Sequence, residues 1–125
     1  MSEKLLRLSI GEFAARTGLS ADTLRYYEKI GLLRNVTRDA SGFRVYGRRD
    51  LEWIGFILRL KDTGMALDDI IRYADLRECG DATLAARQAL LETHAATLQA
   101  RLLRDHEHLD ALQAKIALYR QQTSA

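Results

Sequence analysis

Thr23, Arg25, Tyr26 and Tyr27 set a hydroxyl, a guanidinium and two phenols almost side by side. Such donors suit base edges and phosphate oxygens. A second group follows, in which Arg34, Arg38, Arg44, Arg48 and Arg49 are opposed only by Asp39. A cationic stripe of this density is the electrostatic footprint that phosphate backbones select. The soft metal ligands are Cys79, His94, His106 and His108, and a metal site needs several such groups to converge. His106 and His108 are two apart on a helical segment and point in different directions, so no metal and no other cofactor is expected. An enzyme is not expected either. The chain has no glycine-rich phosphate loop, no nucleophile-base-acid constellation and no concentrated cluster of His and carboxylates.

The donors need a rigid carrier, and Thr23–Leu33 supplies one. If Leu24 marks the buried direction, helical rotation turns Asp22, Arg25, Tyr26 and Lys29 outward, with Thr23 and Tyr27 on the flanks. Gly31 is placed to end this helix in a left-handed conformation before Leu32 and Leu33 return to the core. Upstream, Ser9 and Glu12 form a capping box, and Ile10, Phe13, Ala14 and Thr17 give a short helix one apolar face. Gly18-Leu19 makes a turn and Ser20 can cap the second helix. Two short helices joined by a tight turn form a helix-turn-helix unit.

Beyond Leu33 the period drops to two. Val36–Arg38 and Phe43–Tyr46 flank Asp39–Gly42, which predicts a β-hairpin beside the second helix. Alternation puts Phe43 and Val45 on one face and Arg44 and Tyr46 on the other. Arg38, Arg44 and Tyr46, with Tyr27 at the helix edge, are expected to grip phosphates; Thr23, Arg25 and Tyr26 are expected to read bases. Phe43 is expected to pack within the hairpin. Helical spacing resumes from Arg48, where Trp53, Phe56, Ile57 and Leu60 form a core stripe, and again over Leu67–Ala74 after Gly64.

From about Thr83 to Tyr119, steps of four and three residues connect Leu84, Gln88, Leu91, Ala95, Leu98, Leu102, Asp105, Leu109, Leu112, Ile116 and Tyr119. Only Gln88 and Asp105 break this heptad seam. With no partner helix left in the chain, Leu84, Leu91, Leu98, Leu102, Leu109, Leu112 and Ile116 are expected to pack against a second copy, in an orientation that periodicity leaves open. The expected division is a DNA-binding domain over 1–76, a linker over 77–82, a dimerisation helix over 83–119 and a short tail over 120–125. Charge follows the same division. Residues 1–65 hold twelve Lys or Arg against eight Asp or Glu, whereas residues 66–125 hold seven against nine. At 125 residues with 47% hydrophobic and 29% charged, the chain suits one small globular unit with an appendage. No apolar run approaches membrane-spanning length, and Met1–Arg7 lacks the features of a secretory leader, so a soluble cytoplasmic protein is expected. A single cysteine fits a reducing compartment.

Ile10–Ala14, Thr23–Leu33, Gly42–Tyr46, Asp50-Leu51 and Gly64–Ile70 together resemble the successive signatures of the MerR family of bacterial transcription regulators. The resemblance covers nearly the whole chain. It implies a mainly α protein, with a winged helix-turn-helix head and a long C-terminal helix that forms an antiparallel coiled-coil dimer. It also implies double-stranded promoter DNA as partner and RNA polymerase engaged indirectly, through distortion of an over-long promoter spacer. Metal-sensing members carry further cysteines in a loop after the long helix, and this chain ends before such a loop. Arg87, Leu90-Leu91, Leu109, Leu112, Lys115, Ile116 and Tyr119, with Trp53–Ile57, are similar to short members that answer aldehydes or nitrosative stress through one cysteine. Those members place it soon after the Phe-Ile pair, where this chain has Leu58-Arg59-Leu60. Cys79 is the substitute candidate for an effector thiol, near a helix N-terminus that would stabilise its thiolate. The rival reading is a coiled-coil adaptor without sequence-specific DNA binding. It accounts for the terminal helix and leaves the basic hairpin unexplained.

Overall fold

In the computed structural model, which describes residues 5–124, Ser9 opens the first helix. Its hydroxyl accepts from the Glu12 N–H at 3.2 Å while the Glu12 carboxylate accepts from the Ser9 N–H at 2.9 Å, the reciprocal pair predicted from the sequence. The same bond from Ser9 N–H holds the Glu12 carboxyl below its ordinary pKa. Helix α1 (Ile10–Thr17) ends at Gly18 in the left-handed region, and α2 (Ala21–Lys29) begins under a bond from the Thr23 N–H to the Ser20 hydroxyl. Gly31, at φ 88°, stops α2 as expected. The Leu32 N–H donates to Tyr27 C=O and the Gly31 N–H to Glu28 C=O, which is the Schellman arrangement for satisfying terminal carbonyls.

Strands β1 (Thr37–Arg38) and β2 (Arg44–Val45) form an antiparallel hairpin with Thr37 opposite Val45 and Arg38 opposite Arg44. Leu8 adds a bridge to Tyr46, with both backbone bonds at 2.8 Å. Helix α3 (Arg48–Asp62) and helix α4 (Leu67–Glu78) complete the head, α4 running four residues beyond its predicted end at Ala74. Phe13, Leu24, Leu32, Leu33, Ile54, Ile57 and Ile70 are among its fully buried side chains. Trp53 is fixed twice over: its indole N–H donates to Leu32 C=O at 2.7 Å, and its ring lies against Tyr73 with centroids 5.9 Å apart.

A single 3-10 turn (Asp81–Thr83) precedes α5 (Leu84–Thr123). Helix α5 is unbroken over 40 residues, about 60 Å at the α-helical rise. The chain divides into two compact units between Leu84 and Ala85. Among the described residues no helix is long and apolar enough to cross a membrane. The leader reading of Met1–Arg7 falls partly outside the described residues, since Met1–Lys4 lie beyond them, as does Ala125 of the tail.

Candidate nucleic-acid interface

Helix α2 separates a closed face from an open one. Leu24 and Tyr27 are buried, whereas Arg25 and Tyr26 are exposed and Thr23 is half-buried. The open residues are tethered only lightly: Arg25 pairs with Asp22 at 2.9 Å on the same helix, and the Thr23 hydroxyl accepts from Ser20 at 2.9 Å. An exposed ion pair of this kind contributes little to stability and can be exchanged for a new partner at small cost. Tyr27, expected at the helix edge as a phosphate contact, belongs to the core by its ring. Only its hydroxyl reaches a polar neighbour, accepting from Lys61 Nζ of α3 at 3.3 Å.

The hairpin obeys the predicted period but with the opposite sense. Arg44 and Tyr46 do share a face, yet that face turns toward the helices. Arg44 Nε donates to Glu28 Oε1 of α2 at 2.7 Å, and the Tyr46 ring stacks on Phe13 of α1 with centroids 4.2 Å apart. Tyr46 is 0% exposed, so the reading of it as an outward phosphate contact is corrected. Burial pushes its phenol pKa upward, and its hydroxyl has no hydrogen-bond partner among the described residues. Alternation divides the side chains into two sets without saying which set is inside. The Phe13 ring, the Glu28 carboxylate and the Leu8 bridge decide it. Phe43, expected to pack, is correspondingly 72% exposed.

The cationic stripe is also partly consumed. Arg34 binds Asp75 and Glu78 of α4 and donates through Nε to Gly31 C=O at 2.7 Å. It therefore locks the end of α2 and is not an open phosphate ligand. The Arg34 hydrogen bond holds the Glu78 carboxyl below its ordinary value. Arg38, Arg48 and Arg49 remain exposed. Arg38 donates to Gly42 C=O at 2.8 Å within the turn, and Arg48 and Arg49 begin α3, whose N-terminal amides add to the local positive potential. The resulting open cationic set is Arg25, Arg38, Arg48 and Arg49, with Arg44 held at the side by Glu28.

The candidate thiol Cys79 is exposed and closes the C-terminal end of α4. In α5 no residue is buried. Leu84, Leu102, Leu109, Leu112 and Ile116 are exposed, and Leu91 and Leu98 are half-covered.

Residues 8–76 match the family model described as MerR HTH family regulatory protein, and residues 51–105 match the model described as MerR, DNA binding. An uncharacterised HTH-type transcriptional regulator of Haemophilus influenzae is 41% identical over 106 residues, which span 85% of this chain and 78% of that protein. The crystal structure of HiNmlR, a MerR family regulator lacking the sensor domain, bound to promoter DNA, is 36% identical with a TM-score of 0.84, covering 96% of this chain and 95% of that one. A MerR family regulator of Listeria monocytogenes is 40% identical, also with a TM-score of 0.84, covering 90% of this chain and 85% of that one.

Proposed function

The chain belongs to the MerR family of DNA-binding, helix-turn-helix transcriptional regulators, and we propose that it acts as a homodimer that distorts a promoter spacer in response to a small effector or stress signal. In this reading residues 1–76 bind DNA, 77–82 connect, 83–119 dimerise and 120–125 form a tail. Thr23, Arg25 and Tyr26 read base edges in the major groove, and Arg38, Arg48 and Arg49 hold phosphates while Arg44 shares its guanidinium between Glu28 and the backbone. RNA polymerase meets the protein through the reshaped promoter, in the cytoplasm.

One observation carries the dimer: α5 runs 40 residues with none buried and bears a heptad stripe of leucines. A helix so constituted gains most by covering the stripe with an identical one. Two joined copies present two recognition helices at a fixed separation, and a fixed separation can impose twist or bend on the DNA between them. HiNmlR supports the DNA partner, since that regulator was crystallised on promoter DNA without a sensor domain. The experiment is selection from a random duplex pool by the purified chain, followed by fluorescence energy transfer between dyes on either side of the recovered site. A near-palindromic consensus whose ends change separation on binding supports the reading. Recovered DNA without a consensus, or a consensus bound with unchanged dye separation, overturns it.

A further inference from the structure

Gln88 and Asp105 interrupt the apolar seam of α5, and both are exposed. Gln88 is already turned toward an acid: its Nε2 donates to Glu92 Oε1, one turn further along the helix, at 2.6 Å. A carboxamide carries two N–H donors and a carbonyl acceptor, so this bond orients the group and leaves one donor over. The ionised Asp105 carboxylate offers acceptor oxygens only. At the α-helical rise the two residues lie about 25 Å apart along one helix. They cannot meet within a single copy.

Between copies they can. The seam alternates steps of four and three residues, and Gln88 and Asp105 belong to its two different classes of position. In a parallel pair of helices each seam residue faces its own counterpart, and Asp105 would set two carboxylates against each other in the least hydrated part of the interface. In an antiparallel pair the two classes face each other. Placing Gln88 opposite the partner's Asp105 then places Leu84 opposite the partner's Leu109, Leu91 opposite the partner's Leu102 and Ala95 opposite the partner's Leu98. Every layer from Leu84 to Leu109 closes seam residue on seam residue. Sliding by one heptad in either direction sets Gln88 against the partner's Leu98 or the partner's Leu112, and Asp105 against the partner's Asp81 or the partner's Ala95. Either slide takes polar groups out of water with nothing to bond to.

We infer that Gln88 and the partner's Asp105 form the polar pair by which two copies of this chain select their register, the carboxamide donating to the carboxylate at two symmetric places in the dimer. The inference rests on the homodimer reading given above and deepens it. A polar layer inside an apolar seam weakens the seam and makes it selective, because each wrong register leaves the layer unmatched. Leucine at both positions would allow several registers of similar strength. A single register is also what a fixed separation between two recognition helices requires.

The test is a double-mutant cycle on the full chain, with dimer dissociation read by sedimentation for the unaltered chain, Gln88→Glu, Asp105→Lys and the two combined. Gln88→Glu sets like charges against each other at both places and should raise the dissociation constant about a hundredfold, roughly tenfold per pair. Adding Asp105→Lys should return most of that loss, because the new cation faces the new anion across the interface. Repulsion from Glu92 within one helix is the same in both chains and rescues nothing. Register is read directly by mixing Ala95→Cys copies with Leu98→Cys copies, each in a Cys79→Ser background, which should link rapidly under oxidised glutathione. Ala95→Cys copies mixed with Leu91→Cys copies should not link. An unchanged dissociation constant for Gln88→Glu, losses that simply multiply in the combined variant, or linking in the second mixture overturns the inference. If the unaltered chain itself stays monomeric, the homodimer reading fails and takes this inference with it, an outcome distinct from a dimer held in another register.

Discussion

The head and α5 are open to their surroundings in opposite ways. In the head every element has one side closed by an intramolecular partner: Leu24 and Tyr27 beneath α2, Phe13 against Tyr46, Trp53 between Leu32 and Tyr73. What stays open is mostly polar and cationic, with Leu5, Tyr26, Phe43 and Leu67 among the exposed large apolar side chains. In α5 no residue is buried, and what stays open includes Leu102, Leu109, Leu112 and Ile116. Polar openness is stable in water and waits for a polyanion. Apolar openness on this scale is unfavourable in water, which is the physical ground for proposing a second copy along α5.

The contrast can be broken most severely at α5. Leu98→Lys combined with Leu102→Lys should abolish the dimer in sedimentation at micromolar concentration, a loss on the order of 4 kcal/mol or more from two buried leucines replaced by charges. The head should keep its melting transition. Retained dimers would show that the stripe is not the interface. Arg25→Ala comes next, and should reduce discrimination between operator and random duplex by about 1–3 kcal/mol without altering head stability. Equal discrimination in a competition titration would remove Arg25 from base reading.

Tyr46→Phe distinguishes the two senses of the hairpin. Since the hydroxyl is buried without a partner among the described residues, its removal should leave operator affinity unchanged and stability unchanged or raised by up to about 1 kcal/mol. Weaker DNA binding would return Tyr46 to the interface.

The smallest effect is expected at the lock between α2 and α4. The Glu78 carboxyl is held below its ordinary value of 4.5 by Arg34, so its contribution is complete above that pH and disappears as acid protonates it in the folded state. Glu78→Gln should therefore lower the melting temperature slightly at neutral pH, and the gap to the unaltered chain should close as acid carries the pH below the ordinary carboxylate range. A gap that is constant with pH would assign the effect to packing.

What was legible in the sequence follows the range of each interaction. The Ser9 and Glu12 capping box, the stop at Gly31 and the Ser20 cap depend on residues close in sequence and stand where the spacing put them, while the long final helix runs on to Thr123, four residues past the end that its heptad spacing marks at Tyr119. The failures are non-local. Arg34 reads as part of a free cationic stripe because its partners lie 41 and 44 residues away. Alternation separates Tyr46 from Phe43, but the sense of their two faces depends on Phe13, Glu28 and Leu8. Cys79 reads as a neighbour of the final helix's start, while a further turn of α4 makes it the residue that caps the C-terminus of α4. In each case a local pattern fixed the partition, and contacts made elsewhere fixed its direction.

The central claim, that paired heads engage one promoter site, is tested most directly by weighing the operator complex with native mass spectrometry and footprinting it in parallel. Two chains on one duplex are predicted, with protected half-sites centred one helical turn, about 34–36 Å, or a multiple of it apart. A complex of one chain per duplex that keeps full operator preference would contradict it.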